Sequence, residues 1–158
     1  MSSHLTTDAY FRCIDWETVY QAVQNDRLDS AYYYEFNRTY QITNWPKRDI
    51  CEPPKTESRP LGDPNGEYFK CYSGELYYLF GNLARDDLPM RDEFDLPFQQ
   101  FVVDSFSSFA TTYDPDPDFA FLQARGYDDT LRAVQHDGRW NPVTKDRAPV
   151  RILQWSEY

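Results

Sequence analysis

Apolar side chains recur at helical spacing near the start of the chain, alternate at strand spacing around residue 34, and return to helical spacing around residue 100. Thr7 is placed to cap a short helix that carries Tyr10, Phe11 and Ile14 on one side. Asp15 is placed to open a second, with Trp16, Val19, Tyr20 and Val23 at i, i+3, i+4 and i+7. A one-sided stripe of this kind predicts a core-facing helix. Residues 31–38, A-Y-Y-Y-E-F-N-R, are aromatic and bounded by polar residues, which predicts a strand. Tyr32, Tyr34 and Phe36 share one face, Tyr33 and Glu35 the other. Apolar character on both faces of its first half predicts a sheet covered on both sides, the α/β arrangement.

Further along, residues 44–66 hold Pro46, Pro53, Pro54, Pro60 and Pro64 with Gly62 and Gly66, and predict a long ordered surface loop stiffened by proline. Ser73 is placed to cap a helix over 74–80 that Gly81 ends. Asp95 and Pro97 start the longest helix, in which Phe98, Phe101, Val102, Phe106 and Phe109 form a packing stripe. Asp114-Pro115-Asp116-Pro117 breaks the chain. Residues 140–143 with 150–155 predict a terminal antiparallel hairpin, and no internal repeat is present.

Length and charge narrow the function classes. A chain of 158 residues can bury about two thirds of its unfolded surface as one domain, and an aromatic content of 18% supplies the core. The net charge of −10, with no run of Lys or Arg, argues against a nucleic-acid partner and against an anionic membrane surface. No apolar run is long enough to predict a membrane span. The start of the chain has neither a basic segment nor an apolar run, so no secretion signal is expected. Cys13, Cys51 and Cys71 fit no zinc spacing; they allow one disulfide plus a free thiol or three thiols, and no pairing is legible. No cofactor is expected.

Residues 69–81, F-K-C-Y-S-G-E-L-Y-Y-L-F-G, closely resemble the segment of type-B carboxylesterases that carries the catalytic histidine. That pattern runs roughly aromatic-x-C-H-S-G-E-L-aromatic-aromatic-x-F-G, and here Tyr72 stands in the histidine position. The likeness extends to the fungal branch of the family along most of the chain. It takes in Thr7–Cys13, Tyr34–Tyr40, Cys51–Lys55, Gly62–Pro64, Asp95–Phe98, Trp140–Val143 and Leu153–Trp155, all in family order. The resemblance implies the C-terminal part of an α/β-hydrolase fold with few strands, several helices and an incomplete sheet, spanning residues 1–158. It implies ester hydrolysis by a Ser, acid, His triad in that chain order, which places the first two members before Met1. No G-x-S-x-G occurs in the chain. Many members of the family are secreted, but this start carries no address.

The chemistry requires a base that titrates near neutrality and a second ring nitrogen through which the acid orients it. A phenol, with a reference pKa of about 10, offers neither. The expectation is therefore a relic or fragment of an ester hydrolase, inert by itself, with an ester substrate implied only by the resemblance. Two alternatives are an interaction module that pairs with itself or with an esterase N-terminal part, and an active hydrolase completed by an upstream segment. Other candidates have plainer readings. His4 lies in a terminal tail, and His136 beside Asp137 reads as a surface pair. Glu75 suits the start of a helix. Asp114, Asp116 and Asp118 lack the pattern of a calcium loop and read as a solvated turn. Asn37-Arg38-Thr39 is a glycosylation sequon that has meaning only in a secreted chain.

Overall fold

The computed structural model describes residues 7–40 and 49–155. They divide into two compact units, one of residues 7–35 and 140–152, the other of residues 36–40, 49–139 and 153–155. The class is mixed, helices with a small two-stranded parallel sheet, and so α/β-like. No helix among the described residues is long and apolar enough to cross a membrane.

In the first unit a π-helical turn, Asp8–Arg12, runs straight into helix α1, Cys13–Gln24. The two helices expected from Thr7 and Asp15 are thus one run. Arg12 already has helical backbone, so Asp15 has no free N-terminus to cap. Trp16, Val19, Tyr20 and Val23 are half-buried. Trp16 stacks on Tyr20 at 5.4 Å and donates through Nε1 to the Ala148 carbonyl at 3.3 Å. The preceding apolar residues do not join them. Tyr10, Phe11 and Ile14 are exposed.

Strand β1, Tyr33–Phe36, is shorter than the expected 31–38. Its neighbour is β2, Val150–Leu153, and the two run parallel. The terminal antiparallel hairpin is therefore corrected. A reversal does occur, since the Thr144 amide donates to the Arg147 carbonyl at 2.8 Å. No ladder grows from it. Pro142 has no amide to give, and the Val143 amide donates instead to Ala31, at 2.8 Å, just ahead of β1. Trp140, buried, packs edge-on against Tyr32 and Tyr34.

The second unit holds the main core. After a 3-10 turn, Asp49–Cys51, the chain follows an irregular path to a short helix α2, Leu76–Leu79. Then come α3, Asp95–Thr112, α4, Phe119–Arg125, and α5, Asp128–Asp137. Helix α3 begins where Asp95 and Pro97 predict, and it packs on α2 and α5. Its Phe98, Phe101 and Val102 are buried, whereas Phe109 near its far end is exposed. Phe98 sits 4.8 Å from Tyr78 and 5.5 Å from Phe36, ring to ring, which ties α2, α3 and the end of β1 into one aromatic cluster. Asp104 on α3 accepts from Thr130 of α5 at 2.6 Å and from Gln100 at 2.7 Å, so both oxygens of its carboxylate are satisfied.

The first part of the proline-rich loop, 44–48, lies outside the described residues. From residue 49 its path is tightly held: the Asp63 amide donates to Pro54, and a Cβ at Gly62 would meet Pro53 Cγ at 2.6 Å. Gly62 also has φ +103°, which a side chain strongly disfavours.

Candidate functional site

The segment that carries the resemblance begins at a disulfide. Cys51 is joined to Cys71, with Cα atoms 5.5 Å apart, and Cys13 is an exposed free thiol. Of the two arrangements open from sequence, one bridge plus one thiol is the one present. After the bridge the chain turns at once: the Gly74 amide donates to the Cys71 carbonyl at 3.2 Å, and the Gly74 carbonyl accepts from Tyr40 at 2.7 Å. Ser73 has φ +69°, in the left-handed region, so it is no N-cap, because a cap residue takes extended backbone. Glu75 adjoins α2 with helical backbone and makes no side-chain cap bond.

Tyr72 projects from this turn with 85% of its surface exposed. It makes no hydrogen bond or ion pair to any described residue. Among the described residues no acid, hydroxyl or thiol lies in hydrogen-bond contact with it.

Six residues further on, Tyr78 leads into a buried polar cluster that sequence reasoning missed. Asp95, fully buried at the start of α3, accepts from Tyr78 at 2.5 Å and from Arg38 at 2.9 Å. It also receives the Arg91 backbone amide at 2.8 Å and the Arg91 guanidinium through both Nε and Nη2. Arg91 reaches on to the Thr39 carbonyl at 2.7 Å and to the Tyr78 hydroxyl. Arg38 pairs in addition with Asp92. Burial pushes the Asp95 carboxyl up, but the hydrogen bonds and charge of Arg91, the charge of Arg38 and the Tyr78 hydroxyl outweigh it and hold the group down at about 2. The Tyr78 phenol is pushed well up, by burial first and by Asp95. Tyr40, whose ring lies 4.7 Å under the Arg91 guanidinium, is raised by burial to about 12. Every shift here favours a fixed protonation state around neutrality, which is the behaviour of a structural brace. In the sequence, Asp95 reads as a helix start and Arg38 as a strand exit; nothing local announces that they meet.

The remaining candidates are dispersed. His4 lies outside the described residues. His136, itself exposed, is in the last turn of α5, 2.9 Å from its half-buried neighbour Asp137. Asp116 is more shielded than a solvated turn implies and pairs with Arg139 at 3.1 Å, while Asp118 caps α4 through the Phe121 amide at 2.8 Å. Asn37 of the sequon donates to the Gln154 side chain at 2.8 Å, with Arg38 and Thr39 buried beside it. Among the described residues no group of three or more His, Cys, Asp or Glu side chains could hold a metal ion.

Fold and site together define a mixed α/β-like protein whose one resemblance-bearing turn is exposed and whose charged centre is a buried brace. Comparison with family models, with curated proteins and with solved structures finds no match.

Proposed function

We propose that this chain is the non-catalytic C-terminal portion of a type-B carboxylesterase, an α/β-hydrolase part without ester-hydrolysing activity of its own. The observation that carries the reading is Tyr72, an exposed phenol without a hydrogen-bond partner among the described residues, at the position where the resembled family has its histidine. The absence of a G-x-S-x-G from the sequence supports it, because without that elbow no activated serine is available for acyl transfer. The test is direct: the purified chain, incubated with short-chain nitrophenyl esters, releases nitrophenol no faster than buffer. Turnover that a serine-directed inhibitor abolishes would overturn the proposal. Since Tyr72 is 85% exposed, Tyr72→Ala is expected to change unfolding free energy by no more than about 0.5 kcal/mol, as read from urea denaturation. A larger loss would show that the residue has a buried structural role.

A second reading, an interaction module, is favoured by the first unit. Parallel strands occur almost only in sheets covered on both faces, and here the sheet has two strands, with Tyr34, Val150 and Ile152 exposed. Open strand edges and adjoining apolar surface invite pairing with another chain. Light scattering across micromolar concentrations is expected to show mass rising above 18.8 kDa. A constant monomer mass speaks against this second reading and leaves the first intact.

A further inference from the structure

The second unit contains a cleft of about 390 Å³. Arg38 contributes to its lining; Glu67, Tyr68 and Lys70 come from the segment before the disulfide, and Gln154 and Trp155 from the chain after β2. Two cations thus meet at one concave surface. Lys70 holds its Nζ 3.0 Å from the centre of the Tyr68 ring and forms no salt bridge to any described residue. Arg38 is 2% exposed; its Nη2 is engaged by Asp92 and Asp95, while Nε and Nη1 have no hydrogen-bond partner among the described residues. Buried guanidinium donors without partners are costly, and a planar carboxylate is their natural complement. Burial, then the neighbouring charges of Arg91 and Arg38, lower the Lys70 amine to about 8. The Lys70 ammonium is thus partly desolvated and lies near two like charges.

The chemistry of the walls narrows the ligand. The volume exceeds that of a bare inorganic ion, and the aromatic faces of Tyr68 and Trp155 suit an apolar or planar body. Glu67 places a negative charge in the same wall, which penalises a dianion more than a monoanion. We propose that this cleft is a binding site for a small organic monocarboxylate. Its carboxylate meets the Lys70 ammonium above the Arg38 guanidinium, and its carbon body lies against Tyr68 and Trp155. The site is independent of ester hydrolysis and requires no residue of a triad.

Calorimetric titration of the full chain with benzoate, acetate and inorganic phosphate tests this. Benzoate is expected to saturate one site and to bind more tightly than acetate or phosphate. Lys70→Gln is expected to weaken benzoate at least tenfold, and Glu67→Gln to strengthen it several-fold. If circular dichroism shows Lys70→Gln unfolded, the Glu67→Gln gain alone decides. The charged and titratable groups around Lys70 are Arg38, Arg91, Tyr68 and Glu67; the Lys70 amine itself is held down at about 8, so benzoate affinity is expected to fall as pH rises through about 8. The proposal is overturned if no anion saturates the site at millimolar concentration, if phosphate outbinds benzoate, or if a folded Lys70→Gln binds benzoate as the parent does.

Discussion

Asp95→Ala is expected to lower the unfolding free energy by about 3–5 kcal/mol, the range for removing one partner from a buried ion pair. The loss would come less from the contacts given up than from what stays behind. Arg38 and Arg91 would keep their charges in a site shielded from water, with Asp92 alone among the described residues to compensate them. Tyr78 would lose its acceptor as well. A total stability of about 5–15 kcal/mol is usual for a domain, so the variant would be close to unfolded. Urea denaturation followed by near-ultraviolet dichroism measures it, and a cost below about 1 kcal/mol would contradict the brace. The same group has an acid signature. Its carboxyl is depressed from 3.8 to about 2 in the folded chain, so its stabilising contribution is complete above the unfolded value and is lost as pH falls through 3.8 toward 2. That contribution is about 2 kcal/mol. Asp95→Asn should flatten this part of the acid-unfolding curve.

Reduction of the Cys51–Cys71 bridge is expected to cost about 3 kcal/mol, the loop-closure value for a cross-link across 20 residues. The closed segment is the one that most needs the constraint. It has no helix or strand from residue 52 to the bridge, and it depends on close approaches such as Gly62 against Pro53 and Gly66 against Pro54. With the bridge gone, the unfolded chain gains the entropy of that loop, and local hydrogen bonds such as Asp63 to Pro54 and Phe69 to Ile50 are left to hold the folded path. Cys71→Ser should shift the urea midpoint downward, and limited proteolysis should cut first between residues 52 and 70. An unchanged midpoint together with an unchanged cleavage pattern would refute the expectation.

Local signals served well where the structure they describe is itself local. The start of α3 was readable because Asp95 and Pro97 are first-turn residues and because Phe98 and Phe101 recur at helical spacing. The aromatic strand was readable for a similar reason, although its ends were not. Capping residues misled at two places. Asp15 looks like a helix start, but the turn before it is already helical. Ser73 looks like a cap, but its backbone is left-handed. In each case the residue type permits the feature, and the neighbouring backbone decides whether it is used. The resemblance to the histidine segment was equally a matter of short-range pattern. Whether its tyrosine is buried or exposed was not.

Periodicity and punctuation by themselves determined the helix that starts at Asp95 and the strand within residues 31–38, because each of these depends on a few consecutive residues. Only the tertiary structure decided that β2 lies parallel beside β1, that Cys51 and not Cys13 pairs with Cys71, and that Arg38 and Arg91 share the carboxylate of Asp95. Those outcomes join residues far apart in the chain. They depend on which distant groups can be desolvated together, and one-dimensional spacing carries no record of that.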